Sequence, residues 1–469
     1  MIGVGPFITL PLLLASMGGP QAMLGWILGA GLALCDGLVW AELGAALPAA
    51  GGTFHFLRRI YPGRLGRYLS FLFLFQLLVS APLSVASGAI GLSQYAGWLA
   101  PALNTHTLHH SLHLGPYIAA LALGPATLVA IAAVALAVLL LARRLDHIAR
   151  LSLLIVTVVL ATVAAVLVSA LISPATHLAQ AFILPPDAFH PSPAFFSGLA
   201  TAMLVATYDY WGYYNITFLG GEVRDPARTI PRAILLSIAI CAVLYLALNL
   251  AILSVLPWQS LLAAGNLDAR RALISVFTVA AWTPLVGSHT AALLGKLAAA
   301  LIMLTAFASV FSLLLGYSRI PFAAAAEGAF FAPFARLHPT GKYPVVSLLT
   351  LGAAACVFCL FSLADVIAAL VILRILLQFL LQHIGVLYLR RSQPDLPRPF
   401  RLWLYPLPPL AAIAGFTYLL LARPNFSREL LFAVALIFVG TVLFLLRRSS
   451  APGSLEDSQS TPPPTASKE

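Results

Sequence analysis

Long apolar runs follow one another along almost the whole chain, separated by short clusters of charged residues, proline and glycine. A helix that spans a membrane needs about 20 mostly apolar residues, and most of the runs reach or approach that length. The sequence therefore predicts an all-α, polytopic membrane protein of about twelve transmembrane helices, at residues 1–16, 22–46, 68–99, 116–142, 150–172, 193–219, 232–256, 290–317, 344–362, 365–389, 403–421 and 427–446.

The composition supports a bilayer as the surrounding medium. Of 469 residues, 61% are hydrophobic and 9% are charged, and the mean hydropathy is +0.97. These values exclude an ordinary soluble protein and leave no room for a separate soluble domain. The first apolar run is not expected to be a cleaved signal peptide, because no basic region precedes it and further spans follow.

The net charge of +11 is explained by basic residues that are concentrated in every second loop between the predicted spans. One set of loops is nearly bare of basic residues, with only Arg270, Arg271, Arg423 and Arg428. The positive-inside rule places the other set, and the C-terminus, in the cytoplasm. The charge therefore indicates topology, and no nucleic-acid partner is expected. The basic residues of the cytoplasmic set are Arg58, Arg59, Arg64, Arg67, Arg143, Arg144, Arg150, Arg224, Arg228, Arg232, Arg319, Arg336, Lys342, Arg390, Arg391, Arg398, Arg401, Arg447 and Arg448.

Three further features concern structure. The four cysteines lie in apolar runs and are interpreted as core residues, so that neither a disulfide framework nor a metal site is expected. The long loop 257–289 contains a stretch, 269–282, that is predicted to form a short helix on the outer face. The tail 449–469, rich in serine, proline and acidic residues, is predicted to be a disordered cytoplasmic segment.

The motif Gly3-Val4-Gly5-Pro6 lies in the first apolar run. Two glycines and a proline favour a break in the helix. An unwound segment at membrane depth lines a cavity or is buried in protein, and its free N–H groups suit a carboxylate. The alternative is a glycine-rich crossing point for a neighbouring helix.

A second break is predicted in the sixth run, where Thr207–Asn215 brings a carboxylate, a glycine and several aromatic rings into an apolar segment. Five spans separate the two breaks, as expected for two five-helix repeats in inverted orientation with the substrate between them. Asp209 is then a candidate partner for a proton or a substrate amine. Its alternative role is to cap the following half-helix.

Other ionisable groups lie in or near the apolar runs. Asp36, Glu42, Glu222 and Arg374 are candidates for coupling or for a gate, although structural ion pairs explain such residues equally well. Ser309 and Ser312 offer oxygens to a sodium ion, but hydroxyls more often bond back to their own helix. No other metal is expected.

Several ordered motifs resemble the amino acid, polyamine and organocation permease superfamily. The resemblance rests on Ile2–Phe7 with Pro11, on Ala41–Gly44 with Pro48, on the Tyr208–Tyr213 stretch, and on a following loop, Gly221–Ala233. It covers nearly the whole chain. Two departures are that the chain begins almost at the first break and that Val4 stands where many relatives have serine.

The resemblance implies a LeuT-like five-plus-five inverted repeat, formed here by residues 1–172 and 193–389, with two extra helices in 403–446. It implies that the substrate carboxylate binds first-helix amides, and its amine sixth-helix carbonyls. Carried over to this chain, the substrate-binding residues are Ile2, Val4, Gly5, Phe7, Tyr208, Asp209, Trp211 and Gly212.

The expected function is secondary active transport of amino acids or related amines across the cytoplasmic (inner) membrane, by alternating access and with proton symport. Substrate exchange by the same fold is the alternative, and an intramembrane enzyme or a channel is a more distant one. No catalytic residues or cofactors are expected, because the chain contains no P-loop, metal-binding H-E-x-x-H or nucleophile elbow.

Overall fold

The computed structural model of the chain describes residues 3, 5–49, 51–105, 108–114, 117–142, 146–221, 223–263, 271–341, 343–422 and 426–448. The tail predicted to be disordered lies outside these residues. The described α-helices are α1 (Leu10–Met17), α2 (Met23–Ala46), α3 (Thr53–Ile60), α4 (Gly63–Leu99), α5 (Pro125–Leu141), α6 (Asp146–Ile172), α7 (Pro193–Tyr210), α8 (Asn215–Phe218), α9 (Pro226–Val255), α10 (Trp258–Leu262), α11 (Leu273–Ala326), α12 (Val345–Phe358), α13 (Leu363–Arg374), α14 (Leu380–Ser392), α15 (Leu407–Leu421) and α16 (Phe426–Arg448).

Several helices are long and apolar enough to cross a membrane. Among the described residues there are six such segments, which lie at Pro20–Ala46, Gly63–Leu99, Pro226–Val255, Leu273–Ala326, Asp365–Ser392 and Leu430–Arg447. Four shorter apolar helices accompany them, at Pro125–Leu141, Val156–Ile172, Val345–Phe358 and Leu407–Leu421. Each of these segments overlaps an apolar run that the sequence predicts as a span.

Short turns replace helix at several places where the sequence carries proline or glycine. A 3₁₀ turn at Gly5–Phe7 precedes α1, and α1 ends at Gly18, which adopts the left-handed conformation with φ 71°. A π-helical turn, Ile375–Phe379, joins α13 to α14. Such π turns are rare and occur frequently at functional sites.

The fold is all-α, as the sequence predicts, but the fourth predicted span is wrong in its first part. Two antiparallel strands, β1 (Leu108–Leu114) and β2 (Tyr117–Leu123), form a hairpin ahead of α5. Strand β2 is an apolar run that hydropathy does not distinguish from a helix. The helix begins only at Pro125, where a proline at the first position ends the strand and starts the helix.

The helix predicted in the loop 257–289 is present from Leu273 onward. Helix α11 contains one non-helical residue, Gly287, with φ 78° and ψ 165°, which separates this first part from the longer helix that follows. The Tyr95 hydroxyl accepts a hydrogen bond from the backbone N–H of Ile274 at 3.2 Å and donates one to the carbonyl oxygen of Phe7 at 2.8 Å. The first part of α11 is thereby held against the segment that precedes α1.

Helix α2 packs against α7 and α9 through small residues. A Cβ atom at Gly25 would collide with the backbone of Ala202, and one at Gly29 would press on the Cβ of Ala206. The close approach depends on glycine at these positions. This close approach holds α7, which ends at the second break, against α2.

The four cysteines are free thiols. Cys241 and Cys359 are buried, and Cys35 and Cys356 are partly buried.

Candidate functional site

The first predicted break is a tight turn at the start of α1. The backbone N–H groups of Ile8 and Thr9 both donate to the carbonyl oxygen of Gly5, at 2.9 and 3.0 Å. The Thr9 hydroxyl lies 2.9 Å from the same carbonyl oxygen and 2.5 Å from Oδ2 of Asp209. The two predicted breaks therefore meet directly in the fold.

The second predicted break follows the last residue of α7. Trp211 leaves the helix with an extended backbone (φ −62°, ψ 151°), and Gly212 takes φ 118°, a conformation that favours glycine. The chain becomes helical again at Asn215, in the short helix α8. A carboxylate, Asp209, is left in the last turn before the break.

The contact between the breaks requires glycine at position 5. A Cβ atom at Gly5 would overlap the carboxylate of Asp209. Nothing larger than a hydrogen atom fits between the first turn and the carboxylate unless one of them shifts.

A cavity of about 440 Å³ lies where the two breaks meet. Its size is in the range of ligand pockets. Its wall is mostly apolar but carries hydroxyl groups, one carboxylate and one guanidinium. Its described lining residues include Gly5, Ser84, Tyr208, Asp209, Trp211, Gly212, Tyr214, Ser309, Ser312, Tyr317 and Arg374.

Asp209 is 5% exposed, and its two carboxylate oxygens differ. Oδ2 is bonded to the Thr9 hydroxyl, whereas Oδ1 is buried and has no hydrogen-bond partner among the described residues. A buried acid with one unpaired oxygen beside a cavity is a candidate site for a proton or a substrate amine.

Arg374 is the last residue of α13 and is 3% exposed. Its Nη1 donates to the Tyr214 hydroxyl at 2.8 Å, and its Nη2 donates to Ser84 Oγ and to the Tyr317 hydroxyl, each at 2.9 Å. The guanidinium carbon lies 5.6 Å from the ring centre of Trp211 and 5.2 Å from that of Tyr317. All of these partners are neutral.

Asp36 lies in a different cluster, on α2. His383 Nε2 is 3.1 Å from Asp36 Oδ1, and both side chains are fully buried. The Tyr213 hydroxyl donates to Asp36 Oδ2, and His383 Nδ1 lies 2.6 Å from the carbonyl oxygen of Phe379. Because Tyr213 follows Gly212 directly, this cluster joins the second break to α2 and α14.

Glu42 forms a third buried cluster, which lies outside the cavity wall. Its carboxylate accepts two hydrogen bonds from Arg390, at 2.9 and 2.5 Å, and one from the backbone N–H of Leu402 at 2.9 Å. Arg398 lies 3.5 Å away, and Arg390 stacks on Tyr405 at 4.0 Å. The carboxylate is fully paired.

The predicted substrate-binding residues divide into three groups. Gly5, Tyr208, Asp209, Trp211 and Gly212 line the cavity. Phe7 is fully buried and contributes its carbonyl oxygen to the contact with Tyr95. Ile2 and Val4 lie outside the described residues, as does Glu222 among the gate candidates.

Ser309 and Ser312, the two residues predicted to offer oxygens to a sodium ion, lie at the cavity wall. The Ser309 hydroxyl donates to the carbonyl oxygen of Thr305 at 3.2 Å, one turn back in its own helix. A hydroxyl that bonds back to its own helix in this way is the commoner arrangement for serine in a helix.

Several cavity residues were not identified from the sequence. They are Ser84 and Ser87 on α4, Tyr317 on α11, and Tyr214 and Asn215, which belong to the predicted second break but were not singled out as site residues. The only signal in the sequence is the presence of hydroxyl side chains in apolar spans, which does not specify which of them face a common cavity.

The fold and the site together define a class of protein. Several apolar helices long enough to span a bilayer, together with two others, α1 and α7, that each have an end beside a shared cavity with a buried carboxylate, are typical of a multi-pass membrane transporter. The chain belongs to the amino acid permease family, whose model matches residues 1–446. The predicted resemblance is confirmed. The family is one of transporters and not of enzymes.

Similar proteins of known name occur in Bacillus subtilis (strain 168). The chain is 25% identical over 432 residues to the branched-chain amino acid permease BcaP, covering 90% of this chain and 86% of that protein. It is 26% identical over 426 residues to the serine/threonine exchanger SteT, covering 90% and 87%. It is 24% identical over 457 residues to a methylthioribose transporter, covering 95% and 90%.

Proposed function

We propose that the protein is a secondary active transporter that moves amino acids or related amines across the cytoplasmic membrane by alternating access, with proton symport. The observation that carries the proposal is the contact between the two helix breaks at Gly5 and Asp209, beside a cavity of about 440 Å³. Broken helices that face one another at mid-membrane are the usual substrate site of transporters of this kind.

The substrate is placed between the breaks. Its carboxylate lies against the backbone of the first break, near Gly5, and its amine lies at the carbonyl groups of the second break and at Asp209. This placement is supported by the free Oδ1 atom of Asp209, which is buried and without a partner among the described residues. A proton satisfies that oxygen where it packs against Gly5, and a substrate amine reaches it when the first break moves away from Asp209.

Proton coupling is assigned to Asp209. A carboxylate inside a membrane protein is costly to keep ionised, so loading and release of a proton provide a natural link to alternating access. The runner-up is obligatory exchange, which the similarity to SteT, named as an exchanger, favours.

We infer the membrane topology that the sequence predicts. Residues 1–172 and 193–389 form two inverted five-helix repeats, residues 403–446 add two helices, and the C-terminus is cytoplasmic. The distribution of arginine between the loops supports this orientation. A reporter fused after residue 448 is expected to be active only in the cytoplasm, and a periplasmic signal would overturn the orientation.

The test of function is uptake of labelled amino acids and polyamines into proteoliposomes. Symport predicts saturable accumulation that an inward proton gradient drives into empty vesicles. Exchange predicts uptake only into vesicles preloaded with substrate, with no need for the gradient. The proposal of transport fails if no member of the panel enters in either condition while the reconstituted protein remains folded.

A further inference from the structure

Arg374 carries the only basic side chain in the wall of the cavity, within the part of the chain that the structure describes. Its guanidinium remains positively charged in proteins under all ordinary conditions. It is 3% exposed and lies immediately before the π-helical turn Ile375–Phe379. A fixed positive charge is thus part of the site.

No carboxylate neutralises this charge among the residues that the structure describes. The ion pairs found there join Arg58 to Glu327, Asp36 to His383, and Glu42 to Arg390 and Arg398. The one carboxylate in the cavity wall, Asp209, is bonded to Thr9 instead. An ion buried without a counter-charge is strongly destabilising, so its retention calls for a ligand that supplies the charge.

The guanidinium also has unused donors. It has five N–H groups, and three hydrogen bonds hold it to Tyr214, Ser84 and Tyr317. Two N–H groups remain, and one of them, on Nε, is buried without a partner among the described residues. The three hydroxyls fix the group in place, and the rings of Trp211 and Tyr317 flank it, but none of them supplies negative charge.

We propose that Arg374 binds a second anionic group of the substrate, so that the transported molecules are amino acids with an acidic side chain. This inference rests on the proposed function, because it takes the cavity to be the substrate site. The α-carboxylate then lies at the first break, the amine at Asp209, and the side-chain carboxylate at Arg374. The amine and the side-chain carboxylate each meet an opposite charge, whereas the α-carboxylate meets backbone N–H groups.

The sharpest test compares glutamate with glutamine and aspartate with asparagine, because each pair differs in charge but hardly in shape. In proteoliposomes, unlabelled compounds compete with labelled glutamate, and each apparent affinity is measured. Losing one partner of a buried charge pair costs enough to predict a preference of at least about 30-fold for the acid over its amide. The preference is expected in the wild-type protein.

Arg374→Gln is expected to remove the preference, so that glutamate and glutamine compete within about threefold of one another, while glutamine uptake persists. Arg374→Lys, which keeps the charge, is expected to retain part of the preference. Arg401→Gln, at an exposed position, is the matched control and should behave as the wild type does. Persisting glutamine uptake shows that the Arg374→Gln protein is folded.

Other outcomes overturn the inference. If the wild type takes up neutral amino acids and prefers no acid, Arg374 does not select an anionic side chain, although the transport function stands. If Arg374→Gln loses acid and amide uptake alike while remaining monodisperse and thermally stable, Arg374 binds a group common to both, such as the α-carboxylate. If the wild type transports no amino acid at all, the proposed function and this inference fail together.

Discussion

Among the described residues, buried charged side chains lack partners of opposite charge at the cavity wall but have them in the Glu42 cluster. Around Glu42, the carboxylate is fully paired, with two hydrogen bonds from Arg390, a third from the backbone N–H of Leu402, and Arg398 at 3.5 Å. At the cavity, Arg374 is surrounded by neutral hydroxyls, and Asp209 keeps one oxygen unpaired. Buried charges that pair with one another belong to the structural core, whereas a buried charge without a partner is retained where a ligand supplies the opposite charge.

The comparison predicts that substitutions at the cavity change transport, whereas substitutions at the Glu42 cluster change stability. The cluster around Asp36 lies between these cases, since it is paired with His383 and Tyr213 but touches the second break. Variants at the three places separate the two kinds of effect.

The largest effect is expected for Asp209→Asn. Removing the carboxylate removes both the proton site and a charged partner for the amine, and gradient-driven uptake should fall by about 100-fold or more. The measurement is initial uptake with and without an inward proton gradient. Asp365→Asn, at an exposed carboxylate bonded to Ser362, is the control. Unchanged gradient-driven uptake in Asp209→Asn would remove Asp209 from the mechanism.

Gly5→Ala should have the next largest effect. Uptake is expected to fall by about 10- to 100-fold, because misplacement by about 1 Å at a preorganised site has effects of that size. The added methyl group would overlap the Asp209 carboxylate and force the breaks apart. Gly31→Ala is the matched control, because a Cβ atom there meets nothing within 4 Å. Equal uptake by both variants contradicts the close contact of the breaks.

Glu42→Gln is expected to lower stability without altering substrate preference. Breaking a buried ion pair by removing one partner costs about 3–5 kcal/mol, which a thermal melt in detergent detects. Glu327→Gln breaks the exposed pair with Arg58, whose side chains are 48% and 38% exposed, and should cost less than about 1 kcal/mol. A change in preference at Glu42, with stability intact, would assign this cluster to the transport cycle.

The smallest effect is expected for Tyr213→Phe, which removes one hydrogen bond to Asp36 and no charge. The loss should be about 1.5–3 kcal/mol in stability, because the bond is to a buried carboxylate; it is measured as a fall in melting temperature, with uptake nearly unchanged. Tyr343→Phe, at a ring stacked on His338, provides the comparison. A large transport defect in Tyr213→Phe would show that the Asp36 cluster takes part in coupling.

Much of the helical layout was predictable from the sequence, because hydropathy over 20 residues reports directly on spans. The positions of both breaks were predictable as well, since glycine and proline at Gly5–Pro6 and glycine at Gly212 permit conformations that other residues resist. The strand β2 was not, because a short apolar run fits a strand or a helix equally well.

The partners of the buried charged residues could not be predicted from the sequence. Glu42 meets Arg390 at a separation of 348 residues, and nothing in a single chain shows which of the cytoplasmic arginines is its partner. For the same reason, Arg374 was predicted as a possible partner of an acid, whereas its described neighbours are hydroxyls and rings. Contacts between distant segments depend on tertiary packing, which periodicity does not encode.

The most direct test of the central claim, that the cavity between the breaks is the transport site, is substrate protection of an introduced thiol. In a background without the four native cysteines, Ser312→Cys places a thiol at the cavity wall, and Ser288→Cys places one at an exposed residue outside it. A transported amino acid should slow maleimide labelling of Ser312→Cys in proportion to its occupancy and leave Ser288→Cys unaffected. Labelling of Ser312→Cys at an unchanged rate, in protein that still transports the substrate, would contradict the claim.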